Sequence, residues 1–194
     1  MLAEPLAVTL QVIDVLDMLN VPYWIGGSLA VAVHGVARST LDTDLVADLR
    51  IEHAEPFAGT LEPAFYLDIE MIKDAISRRS SFNIIHRETM FKVDIFILKD
   101  RAFDQSQLIR REKQIVMIEP ERTADVCTPE DLLLVKLEWF RMGGEVSERQ
   151  WRDVLGVLKA QSGKLDIAYL RRWAGELSIA DLLDRAFADA ATAN

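Results

Sequence analysis

The sequence predicts an α+β protein, in which a mixed β-sheet flanked by helices precedes a C-terminal helical region. Segments with the strand period of two lie between residues 21 and 118, whereas the chain from residue 128 onward has helical periodicity. No repeat or low-complexity segment interrupts this pattern. We therefore expect an α+β domain over residues 1–127, with a helical region over residues 128–194 packed on it.

The first elements are a helix, a short strand and a glycine turn. Apolar residues recur at helical spacing over residues 5–19, and an apolar run from Val21 to Ile25 ends at Gly26 and Gly27. The next run is again helical, which makes Ser28 the predicted N-cap residue. Glycines let the backbone approach an anion, and the N–H groups of a helix N-terminus attract it. The stretch is typical of a phosphate-binding turn, although ordinary turns of this composition are more common.

Two aspartates follow at the start of a predicted strand. Asp42 and Asp44 flank Thr43, so the strand period of two directs both carboxylates to the same face of the sheet. Like charges on one face repel each other unless a cation joins them. A solvated strand edge would also tolerate this pair, so the pair alone does not define a site.

The segment from residue 51 to residue 79 is mixed. Three residues are expected to break regular structure before a helix from Leu67 to Ser77, namely Pro56, Gly59 and Pro63. The sequence gives this segment no legible function.

A hairpin is predicted next, from strands at residues 82–87 and 91–97, and a further strand at residues 114–118. In the second hairpin strand, Lys92, Asp94 and Phe96 share one face. Asp94 lies within an otherwise apolar strand, where a carboxylate is costly without a partner. It is therefore the third candidate cation ligand.

The C-terminal region begins with a strong helix signal. Thr128 is the predicted N-cap and Pro129 the first helical residue of a helix that extends to about Arg141. Helices at residues 148–160, 165–174 and 178–190 follow. Four aromatic residues at helical spacing are expected in the core: Trp139, Phe140, Trp151 and Trp173.

The composition restricts the function. A formal net charge of -9 argues against extended binding to duplex nucleic acid, which depends on Lys and Arg neutralising phosphates. The single cysteine, Cys127, excludes an intramolecular disulfide framework and a cysteine-rich zinc site. The first residues lack a basic leader, and no apolar run is long enough to cross a bilayer. These observations predict a cytoplasmic protein without a membrane partner.

With Gly26-Gly27-Ser28, then Asp42-Thr-Asp44, then Asp94 on a later strand, the chain resembles the nucleotidyltransferase fold of the DNA polymerase β superfamily. The variant of the motif is similar to small bacterial AbiEii-type and minimal nucleotidyltransferases. Two helical elements match as well, Lys136 and Arg152-Asp153. The resemblance covers roughly residues 20–155, and it departs at Gly156, where the family often has a further aspartate.

The resemblance implies a chemistry for these residues. Two Mg²⁺ ions, or Mn²⁺, would be held by Asp42, Asp44 and Asp94, and Asp94 would also help to deprotonate the acceptor hydroxyl. The nucleoside triphosphate substrate would be bound by a second group of residues, namely Gly26, Gly27, Ser28, Arg38, Lys136 and Asp153. The residues alone also allow structural roles in place of nucleotide binding. Arg38 is equally suited to a salt bridge. Lys136 could extend its ammonium from an apolar helix face to solvent, and Asp153 could cap a helix or pair with Arg152.

Two function classes stay open. The first is a nucleotidyltransferase that moves a nucleoside monophosphate from an NTP to a hydroxyl of tRNA, a protein or a small molecule, and releases pyrophosphate. The second is a nucleotide-binding protein without turnover, such as a toxin–antitoxin component with a partner protein. The complete set of three acids favours the enzyme, because a non-catalytic protein has no need for all of them.

Overall fold

The computed structural model describes residues 3–36 and 42–192, which form nine helices and seven strands. These residues divide into two compact units, one with residues 3–29 and 42–126 and the other with residues 30–36 and 127–192. The first unit contains the whole sheet, and the long helices of the second unit follow it in the chain. The predicted α+β class is confirmed.

The first unit holds all of the strands, together with helices that lie between them in the chain. In order, its elements are α1 (Ala3–Met18), β1 (Tyr23–Ile25), the start of α2 (Gly27–Val33), β2 (Asp42–Ala47), α3 (Ile51–Leu61), β3 (Phe65–Tyr66), α4 (Ile69–Arg78), β4 (Ser81–His86), β5 (Lys92–Ile97), α5 (Ala102–Arg110), β6 (Glu112–Met117) and β7 (Arg122–Val126). The second unit contains the end of α2, then α6 (Pro129–Met142), α7 (Glu148–Ala160), α8 (Ile167–Glu176) and α9 (Ala180–Thr192).

The seven strands form one mixed sheet in the order β3-β4-β5-β2-β1-β7-β6. The pairs β2 with β5 and β1 with β7 are parallel, and the other neighbours are antiparallel. The predicted hairpin of β4 and β5 is confirmed. Strand β2 therefore lies in the middle of the sheet, with a hydrogen-bonded neighbour on each side.

One face of β2 and β5 belongs to the core. Both strands alternate between half-buried and buried residues, and the buried series of β5 consists of Val93, Ile95 and Ile97. In β2 the buried series begins with Thr43, whose hydroxyl is hydrogen-bonded at 2.9 Å to the hydroxyl of Thr9 in α1. Because the period is two, this burial directs the intervening residues of both strands to the opposite face.

In the second unit, α6 begins as the sequence predicts. The Thr128 hydroxyl accepts a hydrogen bond from the N–H of Asp131 at 3.2 Å, and Pro129 opens the helix. Phe140 and Trp173 are buried, but Trp139 is 47% exposed, so its predicted core position is wrong. Consecutive helix residues point about 100° apart. Burial of Phe140 therefore directs Trp139 away from the core.

Several other elements differ from the predictions. Pro56 lies inside α3 and does not end it, and Phe57 and Leu61 of that helix are buried. Helix α4 begins at Ile69 because the Asp68 carboxylate caps it, accepting the N–H of Glu70 at 2.8 Å. Strands β3 and β7 were not predicted. No helix among the described residues combines the length and apolar character that spanning a bilayer requires.

Candidate active site

Three aspartates lie on the non-core face of two neighbouring strands. Strands β2 and β5 pair in parallel register, so that Asp44 is the direct partner of Asp94 and Asp42 that of Lys92. Directly paired residues of adjacent strands project from the same face of a sheet. All three aspartates are half-buried. The structure thus brings the three predicted acids to one face of the sheet.

The glycine turn lies directly against Asp44. The N–H of Gly26 donates to the carbonyl oxygen of Asp44 at 2.9 Å, which ties the end of β1 to β2. Gly27 has a φ of 52°, and a Cβ atom there would lie 1.6 Å from Oδ2 of Asp44. Only glycine leaves room for this carboxylate, and glycine adopts the left-handed conformation without a steric penalty. Gly26 therefore holds the turn against β2 by a backbone hydrogen bond, and Gly27 leaves the space that the Asp44 carboxylate occupies.

Ser28 is not the N-cap that the sequence predicted. Helix α2 begins at Gly27, so Ser28 lies in its first turn, and it is buried with an exposed fraction of 4%. The first N–H groups of a helix have no partner within the helix. The positive end of the α2 dipole lies at Gly27 and Ser28, and the N–H of Gly26 is bonded to the carbonyl oxygen of Asp44.

Lys92 is a member of this face to which the sequence analysis gave no role. Its Nζ lies 2.6 Å from Oδ2 of Asp94, and its side chain is 40% exposed against 19% for Asp94. The hydrogen bond to Asp94 raises the pKa of the Lys92 ammonium, and the charges of Asp94, Asp42 and Asp44 act in the same direction. The strand period of two places Lys92 and Asp94 on the same face of β5, so the sequence does contain a sign that the two side chains are neighbours.

The donor set of this face suits a hard cation. Carboxylate oxygens are the ligands that Mg²⁺ and Mn²⁺ prefer, and three carboxylates lie on two adjacent strands here. Within residues 3–36 and 42–192, however, no group of three or more His, Cys, Asp or Glu side chains is already arranged to hold a metal. The chemistry of these three residues fits such an ion, but the ammonium of Lys92 forms an ion pair with one of them, Asp94.

The two predicted helical residues pair with each other in the second unit. Nζ of Lys136 in α6 lies 2.9 Å from Oδ2 of Asp153 in α7, and their side chains are only 11% and 5% exposed. This buried pair joins α6 to α7. Arg38 lies outside the described residues.

Gly156 has a packing role in the second unit. A Cβ atom at this position would lie 3.0 Å from Cγ2 of Val36. An aspartate there would carry a larger side chain into the same space. The departure from the family pattern therefore coincides with a close contact that favours glycine.

A second polar cluster surrounds the start of α6. The hydroxyls of Thr128 and Tyr169 donate to the two carboxylate oxygens of Asp131 at 2.9 Å and 2.6 Å. Asp131 is fully buried. Burial, followed by the charge of Asp131, raises the pKa of the Cys127 thiol well above its ordinary value. Hydrogen bonds to both carboxylate oxygens indicate a structural role for Asp131.

Comparison with known proteins supports the fold. No protein-family model matches the sequence, and no curated protein matches it. Among solved structures, ANT(2'')-Ia in complex with adenylyl-2''-tobramycin is similar with a TM-score of 0.58, 13% identity and coverage of 88% of this chain and 96% of that chain. The lincosamide antibiotic adenylyltransferase LnuA, bound to lincomycin, has a TM-score of 0.52, 18% identity and coverage of 80% and 95%.

A third similar structure is an antigenic nucleotidyltransferase-like protein from Paracoccidioides brasiliensis. Its TM-score is 0.52, with 18% identity and coverage of 92% of both chains. LnuA carries the adenylyltransferase name, the fungal protein is described as nucleotidyltransferase-like, and ANT(2'')-Ia is described with an adenylylated tobramycin. The fold of this chain is therefore the nucleotidyltransferase fold.

Proposed function

We propose that this protein is a Mg²⁺-dependent nucleotidyltransferase, which transfers a nucleoside monophosphate from an NTP to a hydroxyl group and releases pyrophosphate. The observation that carries the proposal is the placement of Asp42, Asp44 and Asp94 on one face of two in-register strands, next to the glycine turn. The similar solved structures include one adenylyltransferase and one protein in complex with an adenylylated tobramycin, which supports the same reaction class.

The chain supplies the ligands and the phosphate contacts. Asp42, Asp44 and Asp94 would hold two Mg²⁺ ions, and Asp94 would also accept the proton of the attacking hydroxyl. Bound Mg²⁺ would neutralise charge on the phosphates and on the attacking and leaving oxygens. The N–H groups of Gly27 and Ser28 would bind the triphosphate, because the helix N-terminus favours anions.

Four further residues belong to the proposal, and each has different support. Gly26 contributes by holding the turn against Asp44, since its own N–H is already bonded there. Lys136 would contact the phosphates as a point charge, and Asp153 would orient it, because the two side chains form a buried pair. Arg38 is proposed as a phosphate ligand on the family motif alone.

We favour a small molecule as the acceptor. ANT(2'')-Ia is described with an adenylylated tobramycin and LnuA with lincomycin, so both similar structures concern antibiotics. The net charge of -9 also disfavours a large polyanion such as tRNA. A protein hydroxyl stays the second choice, and the closer relationship to AbiEii-type proteins stays a prediction.

The test uses each of the four NTPs, labelled, with Mg²⁺ and a panel of hydroxylated antibiotics, tRNA and cell lysate. We expect pyrophosphate release by the wild-type protein and its loss in Asp42→Ala and Asp94→Ala. Asp48→Ala is a matched control, because the Asp48 side chain is 20% exposed and paired with Arg50, much as Asp94 is 19% exposed and paired with Lys92. Absence of turnover with every acceptor would contradict the enzyme.

One observation favours the alternative, a nucleotide-binding protein or toxin–antitoxin component without turnover. The ammonium of Lys92 lies 2.6 Å from Asp94, so one of the three carboxylates already has a counter-ion within the chain. Thermal stabilisation by an NTP with no pyrophosphate release would support this alternative.

A further inference from the structure

The three carboxylates share their face of the sheet with a built-in cation. Lys92 is the register partner of Asp42, and its Nζ lies 2.6 Å from the carboxylate of Asp94, which is itself the register partner of Asp44. An ammonium on this face occupies space and lone pairs that a divalent ion bound by the same carboxylates would use. The proposed nucleotidyl transfer gives this lysine no role.

We infer that Lys92 is an internal counter-ion that competes with the divalent metal for Asp94 and thereby makes metal binding depend on the nucleotide. This inference rests on the proposed function, because it assumes that the metal binds at these carboxylates. In the protein alone, a divalent ion would have to displace the ammonium or bind close to it. At about 5 Å in a water-like dielectric, that repulsion weakens metal binding roughly tenfold.

The triphosphate removes this penalty. Lysine is a compact point charge on a flexible stem, and 40% of the Lys92 side chain is exposed, so the ammonium can turn from Asp94 toward an added anion. The phosphates of a bound NTP supply that anion on the same face. Release of Asp94 then frees Oδ2, the oxygen that the ammonium occupies, for the metal. By linkage, the metal strengthens nucleotide binding by the same factor.

The experiment measures Mn²⁺ affinity by the electron paramagnetic resonance signal of free Mn²⁺, without nucleotide. Lys92→Met removes the charge and keeps the length of the side chain, and we expect it to bind Mn²⁺ roughly tenfold more tightly than the wild type. Lys92→Arg keeps the charge and is expected to bind Mn²⁺ as weakly as the wild type. Lys99→Met changes the net charge equally, but beyond the opposite end of β5, and is expected to leave the affinity unchanged.

A second arm adds α,β-methylene-ATP, which cannot release pyrophosphate. After subtraction of the Mn²⁺ that the analogue binds without protein, we expect the analogue to raise the Mn²⁺ affinity of the wild type to that of Lys92→Met and to change Lys92→Met much less. Circular dichroism confirms that each variant is folded before its affinity is compared.

The outcomes separate this inference from the proposed function. Equal Mn²⁺ affinity of Lys92→Met and the wild type would overturn the role of Lys92, while loss of binding in Asp94→Asn would still support the metal site. An equal gain in Lys99→Met would also overturn it, because the effect would then be one of net charge. Absence of Mn²⁺ binding in every protein, with and without the analogue, would overturn both proposals.

Discussion

Replacement of Gly27 by alanine tests how closely the glycine turn packs against the acidic face, the face of the sheet that carries Asp42, Asp44 and Asp94. Gly27 has a φ of 52°, and an alanine forced into the left-handed region loses roughly 1–2 kcal/mol. The new Cβ would also lie 1.6 Å from Oδ2 and 2.5 Å from Cγ of Asp44, so the carboxylate has to move. Such overpacking costs roughly 1–3 kcal/mol. We expect the free energy of unfolding to fall by about 2–5 kcal/mol.

A matched control separates the two contributions. Gly163 also has a positive φ of 76°, but nothing lies within 4 Å of a Cβ atom built there. Gly163→Ala should therefore show only the backbone contribution of roughly 1–2 kcal/mol. Urea denaturation followed by circular dichroism measures both losses.

A double-mutant cycle with Asp44→Ala identifies the contact itself. This replacement removes Oδ2 and Cγ of Asp44 and leaves only its Cβ, 2.9 Å from the new methyl group. We expect Gly27→Ala to cost about 1 kcal/mol less in the Asp44→Ala background. Equal losses for Gly27→Ala and Gly163→Ala, with no coupling to Asp44, would refute the proposed steric relationship.

Two further predictions concern stability. Lys136→Met should lower the free energy of unfolding by roughly 3–5 kcal/mol, because it removes the ammonium that lies 2.9 Å from the buried Asp153 carboxylate, and Lys136→Met with Asp153→Leu should recover most of that loss in urea denaturation; a loss below about 1 kcal/mol would contradict a stabilising buried pair. Burial raises the pKa values of the Cys127 thiol and the Tyr23 hydroxyl in the folded state, so the unfolded chain loses these protons first. These two groups should therefore leave stability unchanged between about pH 7 and pH 8 and lower it as the pH rises through the ordinary values of 9.0 and 10.0, with the earlier part of the fall absent in Cys127→Ala; a urea midpoint independent of pH between about 7 and 10.5 would contradict this prediction.

The acidic face could be predicted because its information is local. In β2 and β5 the alternation of apolar and polar residues defines the strand, its buried side and the direction of the carboxylates. The parallel register of Asp44 with Asp94 is not local information, because 50 residues separate these two aspartates. Strands β2 and β5 have the same burial pattern, however, so both aspartates reach one face once the two strands are neighbours in the sheet.

The missing elements depend on tertiary contacts. Strand β7 has the short and largely polar sequence Arg122–Val126, and it exists as a strand through its pairing with β1 and β6. Pro56 removes one backbone hydrogen bond from α3, but burial of Phe57 and Leu61 on the same helix outweighs that local cost.

The ion pairs of the candidate site show the same limit. The sequence places Lys92 and Asp94 on one face, but only the structure shows that they are in contact. The sequence suggests Arg152, the neighbour of Asp153 in the chain, as its partner, whereas the structure pairs Asp153 with Lys136 on another helix. Adjacent residues of a helix do not face each other, and a partner 17 residues away is fixed by helix packing.

NTPs labelled at a single phosphate test whether the protein transfers a nucleoside monophosphate at Asp42, Asp44 and Asp94. The protein is incubated with Mg²⁺, cell lysate or the antibiotic panel, and each NTP labelled either at the α-phosphate or at the γ-phosphate. We expect that the α-label becomes attached to an acceptor, that the γ-label leaves as pyrophosphate, and that Asp94→Asn abolishes both while Asp48→Asn does not. Attachment of the γ-label to the acceptor, or α-label transfer that survives in Asp94→Asn, would contradict nucleotidyl transfer at these three carboxylates.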